Sequence, residues 1–200
     1  MARAHPYDRD AALDAAMTLF WAKGYHATSL KDLESALSMK PGSIYAAFSS
    51  KEALFRAALE KYFTTMNRAL RSDLDDAESP LAALAGYIRV MPRSAPDNPQ
   101  QAACMLVKTL LGITSADDII ADDARQYLDR MLAEFEAQFE RSKRLGELPA
   151  DTDCRRLARR YQSDISALKI EMHRGTDADE LAALADDMAS QFEALRVTPA

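Results

Sequence analysis

Apolar residues recur along this chain at intervals of three and four, the spacing of one face of an α-helix. From about Asp8 to Lys23, Leu13, Met17, Phe20 and Trp21 share such a face, and Gly24 is placed as a C-cap. Leu30, Leu33 and Leu37 follow at i, i+3 and i+7, behind Thr28 or Ser29 as N-cap. Ser38, Met39 and Lys40 interrupt the pattern. Pro41 can open a second short helix because the first helical position needs no N–H donor, and Ile44 and Phe48 turn inward again. Ser49 with Glu52 has the form of a capping box, which predicts a long helix from about Ser50 to Asp76.

The rest of the chain continues in the same period. Ser79-Pro80 predicts a fifth helix to about Val90 or Met91, then PRSAPDNP makes a proline-rich loop. Asn98-Pro99 starts a sixth, whose run QQAACMLVKTLLG lacks a clear polar face and predicts a buried helix. A seventh spans about Asp117 to Leu145 with Tyr127, Met131 and Phe135 on one face, ended by Gly146 and Pro149. In the eighth, about Asp153 to His173, the stripe is Leu157, Tyr161, Ile165, Leu168 and Met172; in the ninth, about Asp177 to Leu195, it is Leu181, Leu184, Met188, Phe192 and Leu195. Nothing alternates with period two for long enough to make a strand, so the expected fold is all-α with about nine helices behind a short arm, residues 1–7.

The second and third helices, joined by a turn of three or four residues, predict a helix-turn-helix unit whose second helix lies in the major groove. Its outward side chains, Gly42, Ser43, Ala46 and Ala47, are small enough for the backbone to approach base edges, and Tyr45 carries a hydroxyl on a stiff lever toward phosphate. Thr28-Ser29-Leu30, Gly42-Ser43-Ile44-Tyr45, Phe48 and Ser50-Lys51-Glu52-Ala53-Leu54 together resemble the DNA-binding domain of the TetR family of transcriptional regulators, over about the first sixty residues. The resemblance implies that the third helix reads bases and that Tyr45, Thr28 and Lys51 hold phosphates. Ser29, Lys40, Pro41, Gly42, Ser43 and Ala46 complete the candidate DNA surface. It also implies a DNA-binding domain over 1–49 and a ligand-binding and dimerisation domain over 50–200. Two subunits would join through a four-helix bundle of the last two helices, using Leu157, Tyr161, Ile165, Leu168, Met172, Leu181, Leu184, Met188 and Phe192. Ser38 stands where the family usually has glycine; a left-handed backbone there costs a serine of order 1 kcal/mol.

The net charge of −6 would disfavour a nucleic-acid partner if it were spread evenly. Residues 1–50 instead balance, with Arg3, Arg9, Lys23, Lys31 and Lys40 against Asp8, Asp10, Asp14, Asp32 and Glu34, so the excess lies in 51–200. An acidic body leaves only the small domain to meet DNA. Two cysteines form no disulfide framework, and the lack of a signal-peptide pattern or an apolar run near eighteen residues predicts a cytoplasmic protein.

His5, His26 and His173 have no partner at metal-ligand spacing, and no phosphate loop, nucleophile elbow or CxxC is present. Enzyme chemistry, a cofactor and a metal are therefore not expected. A pocket for a small effector is, placed by the resemblance among helices 4 to 7 and lined by Tyr62, Met66, Tyr87, Met91, Met105, Leu106, Tyr127 and Met131. Cys104, near the start of helix six, is either a sensor thiol activated by the helix end or an inert buried one. Arg155, Arg156, Arg159 and Arg160 form a basic cluster expected to pair with acids around Asp122 and Asp123 or Asp186 and Asp187. The function expected is a homodimeric repressor that binds a near-palindromic double-stranded DNA operator and is released by a small effector. The alternative is a helical small-molecule-binding or scaffold protein that no longer binds DNA, which would lack phosphate ligands on its reading face.

Overall fold

The computed structural model describes residues 8–94, 102–114 and 117–197. The expected N-terminal arm, with Arg3 and His5, and most of the proline-rich loop lie outside them. Among the described residues there are nine α-helices, one 3₁₀ turn at Met91–Ser94 and no strand.

Local chemistry sets where the first four helices begin and end. The Asp8 carboxylate accepts the N–H groups of Asp10 and Ala11 at 3.0 and 3.1 Å, starting α1 (Arg9–Lys23), and Gly24 at φ 83° stops it. The buried row of α1 is Ala12, Ala16 and Phe20, whereas Leu13 and Met17, expected on that face, are only partly covered. α2 (Leu30–Leu37) starts with a complete capping box between Ser29 and Asp32. Ser38 then adopts the left-handed conformation, φ 52° and ψ 38°, so the glycine-type corner is made here by a serine. α3 (Pro41–Phe48) buries Ile44 and Phe48 as expected. Ser49, expected to cap the next helix, has φ 68° and belongs to the corner; the Ser50 hydroxyl accepts the Ala53 N–H at 3.0 Å and α4 (Lys51–Leu74) starts there.

α5 (Pro80–Val90) and α6 (Met105–Gly112) follow. The sixth helix is shorter than expected, because Ala102, Ala103 and Cys104 are buried but not helical. An apolar run without a polar face reports burial and does not distinguish helix from irregular chain. α7 (Asp118–Arg144), α8 (Cys154–Arg174) and α9 (Ala178–Glu193) complete the chain within a residue or two of their expected limits.

The helices form two compact units, one comprising Met1–Thr65 with Met105–Arg125 and the other Met66–Cys104 with Gln126–Ala200. In the first, α1 packs on α2 and α2 on α3, around Phe20, Leu33, Ile44, Phe48 and Phe55. Trp21 packs edge to face on Tyr62 with centroids 4.9 Å apart.

In the second unit α9 packs on α5 and on α8. Tyr161 is its centre: its hydroxyl donates to the Leu84 carbonyl at 2.7 Å, and the rings of Phe135 and Phe192 lie edge-on at 4.8 and 5.1 Å. Tyr161, Ile165, Leu168, Leu181 and Phe192 are thus buried within one chain. That stripe serves the subunit's own core and is not left over for a second copy. Leu157, Met172, Leu184 and Met188 are only partly covered. Beside this core the buried Glu147 carboxylate accepts from the Ser79 hydroxyl, from the Leu81 N–H at 3.1 Å and from Arg196 at 2.9 Å. Arg89 ties α5 to α9 through Asp186 at 2.7 Å and Glu193 at 2.6 Å. Two of the α8 arginines find other acids than those expected: Arg155 pairs with Glu136 and Arg160 with Asp164, while Asp123 is taken by Arg56.

Candidate nucleic-acid interface

α3 is eight residues long and too short to persist alone, so packing must present its outer face. Ile44 and Phe48 anchor it. Gly42, Ser43, Tyr45 and Ala46 are exposed, with Tyr45 retaining 43% of its accessible surface. Lys40, the N-cap residue, makes no side-chain cap bond, is exposed, and precedes Pro41 at the first helical position. From Ser35 to Lys51 the chain carries two lysines and no carboxylate, although it is acidic overall. The face that α3 presents is therefore uncharged and small-chained, with a lysine at either end and a tyrosine hydroxyl reaching outward, a surface suited to the groove and backbone of a duplex.

Lys51 starts α4 half-buried, its ammonium seated 4.6 Å from the centroid of the Tyr25 ring. Burial lowers its pKa, and Asp117 and Asp32 offset that only in part. Tyr25 in turn packs edge-on to Phe55 at 5.1 Å, and burial, Asp117 and Glu52 raise its pKa. The ammonium thus stands on a fixed aromatic platform. Asp32 completes the corner by accepting from Lys23 at 2.7 Å and from the Ser29 N–H and hydroxyl at 2.8 Å each; the Lys23 hydrogen bond first, then those from Ser29, hold its carboxyl well below the usual range.

Not every expected contact faces outward. Thr28 is fully buried and its hydroxyl donates to the Gly24 carbonyl at 2.7 Å, closing the turn between α1 and α2. Its side chain is a structural bolt and stands apart from the exposed set. The Ser29 hydroxyl is occupied in the capping box. Arg9 stands in the sequence only as one of the balancing charges of residues 1–50. It is exposed, and its guanidinium lies 5.2 Å from the Phe48 ring centroid, a cation at the C-terminal end of α3. Only tertiary folding brings Arg9 to Phe48, and no local spacing signals it.

The residues expected to line an effector pocket are distributed over both units. Tyr62, Met105 and Leu106 are buried in the first; Met91, Cys104 and Met131 are buried in the second, where Met66, Tyr87 and Tyr127 are partly covered. Burial, then Asp73 and Cys104, push the Tyr87 phenol up to about 12. Cys104 and Cys154 are both free and buried. The described residues include no group of His, Cys, Asp and Glu able to hold a metal ion, and no helix long and apolar enough to cross a membrane.

Residues 12–58 match the profile of the bacterial regulatory proteins of the tetR family. The HTH-type transcriptional repressor ComR of Escherichia coli (strain K12) is 33% identical over 183 residues, 90% of this chain and 86% of that protein. BdcR, an HTH-type transcriptional repressor of the same strain, is 34% identical over 116 residues, 58% of this chain and 57% of that one. Among solved structures, a cysteine mutant of the TetR family transcriptional regulator CifR, complexed with 26-bp double-strand operator DNA, superimposes with a TM-score of 0.86 and 30% identity, covering 94% of this chain and 98% of that one.

Proposed function

The chain belongs to the TetR family and is a DNA-binding transcriptional regulator; from that premise we propose that it is a repressor, binding a near-palindromic operator as a homodimer and released by a small effector. The observation that carries the reading is the exposed face of α3, small and free of acids, with Tyr45 on it and Lys40 and Lys51 at its ends. Tyr45, Lys51 and Arg9 hold phosphates while Gly42, Ser43 and Ala46 admit base edges. Residues 1–49 act as the reading domain and 50–200 as the regulatory one, in the cytoplasm.

A dimer is needed because one eight-residue helix spans too few bases for useful selectivity, whereas two heads about 34 Å apart read successive major grooves on one side of the duplex. α8 and α9 supply the interface through the surface not used by the subunit's own core, with Leu157, Met172, Leu184 and Met188 at its edge and the exposed Ile170 on α8. An effector that binds the two head spacings unequally shifts the population away from the DNA-competent one, by no more than its difference in affinity. The test is selection of genomic fragments by the purified protein, with Tyr45→Ala in parallel. An enriched near-palindrome lost in the variant supports the reading; no enrichment at low or moderate salt overturns it in favour of a binding protein that has left DNA.

A further inference from the structure

A cleft of about 450 Å³ lies beside α6, and every residue lining it belongs to the compact unit that contains the reading helices. Small-molecule sites span roughly 300–1,000 Å³, so the volume suits a compact ligand. Phe20, Trp21, Tyr25 and Phe55 supply aromatic surface, and Phe20 and Tyr25 both pack edge-on against Phe55, at 4.9 and 5.1 Å. Such interlocked rings make a wall that is formed before a ligand arrives.

The charge of the lining is one-sided. Lys23, His26 and Lys108 line it, and none of its described lining residues is acidic, although the chain has 31 carboxylate side chains against 25 lysines and arginines. Lys23 and His26 are held by Asp32 at 2.7 Å and Asp117 at 3.2 Å, neither of which lines the cleft. Lys108, partly buried on α6, donates to the Trp21 carbonyl at 2.7 Å and the Ala22 carbonyl at 3.3 Å, acceptors left over at the end of α1. Both are neutral, and a carboxylate is the stronger acceptor for an ammonium.

We propose that this cleft, whose lining is drawn from both the reading and the regulatory domain, is an effector site for an aryl-alkyl monocarboxylate, its ring against Trp21, Tyr25 and Phe55 and its carboxylate drawn to the Lys108 ammonium. This deepens, and rests on, the reading of the chain as an effector-released repressor. Competition for Lys108 loosens its hold on the last turn of α1, next to the turn that leads into α2, so occupancy acts directly on the reading unit.

Phenylpropanoate and its uncharged amide are suitable probes, titrated against the full chain by calorimetry and by the emission of Trp21, the single tryptophan. Lys108→Met removes the ammonium and keeps most of the stem. Gly112 lines the cleft and a Cβ there would meet no atom within 4 Å, so Gly112→Leu narrows the space without pressing on the core. Expected are one saturable site per chain, a change in Trp21 emission, and affinity lower by about tenfold or more for the amide and for each variant. Operator binding, followed separately by anisotropy of a selected fragment, should fall as the acid is added. No binding of the acid at millimolar concentration, equal binding of the amide, or undiminished binding in both variants overturns the site. Acid binding that leaves operator affinity unchanged overturns its effector role. A chain that binds the acid with the expected variant pattern, yet selects no DNA, upholds the cleft and overturns the repressor reading instead.

Discussion

Ser38 carries a measurable strain. Its φ of 52° is the conformation that glycine adopts without a Cβ penalty, so Ser38→Gly should stabilise the chain by about 1 kcal/mol, less what glycine loses in the unfolded state. For a chain of this size that is a rise in Tm of about 2–4 °C, readable in a thermal melt. Thr28 predicts the reverse. Its fully buried hydroxyl holds the Gly24 carbonyl, so Thr28→Val should cost about 1–2 kcal/mol and weaken operator binding only as far as the folded fraction falls. Tyr45→Phe separates the two kinds of effect: with the ring exposed, the melt should not move, while operator affinity drops about tenfold as a phosphate hydrogen bond is lost.

Glu147 ties three elements at once: α5 through Ser79 and Leu81, the α7–α8 connection on which it lies, and the chain after α9 through Arg196. Burial pushes its pKa up, but the hydrogen bonds from Ser79, Leu81 and Arg196 outweigh that, leaving it lowered. The unfolded chain therefore takes up the proton first on acidification. The contribution of Glu147 is complete above the ordinary glutamate pKa of about 4.3 and is lost as pH falls through the lowered folded value. Melts of Glu147→Gln against the parent should differ by about 2 kcal/mol near neutral pH and converge below that range. No spacing in the sequence announces this cluster, because its members are brought together by tertiary packing. Helix limits were legible where capping is local, as at Asp8, Ser79, Asp153 and Asp177, each of which accepts N–H groups of its own first turn. The buried face was harder to read than the limits. The α1 stripe chosen by size pointed to Leu13 and Met17, but the packed row uses Ala12 and Ala16, whose small side chains present less apolar area and so leave a weaker pattern. The candidate DNA face was legible for the same local reason that α3 was, and Arg9 was not, since its partner Phe48 is far away in sequence.

Across the whole molecule, an acidic protein with a cation-tipped reading unit must bind DNA through a limited number of phosphate contacts. Operator affinity should fall steeply and linearly on a log–log plot against salt, and Lys51→Met should flatten the slope by about 0.9 for each subunit that contacts phosphate. A titration at four or five salt concentrations decides it; an unchanged slope removes Lys51 from the interface. The corners that bound α3 carry a further consequence. Ser38 and Ser49 are the described non-glycine residues at positive φ, and they bracket the reading helix on both sides. Opening the two-turn helix gives up the burial of Ile44 and Phe48 but releases the strain of both corners while α1 and α4 stay packed, so opening costs less than that burial alone. Its amides should exchange with solvent faster than those of its neighbours in the free protein and slow down once operator is bound. DNA then completes the folding of the helix that reads it, and a sequence offering poorer contacts has to order that helix for a smaller return in affinity.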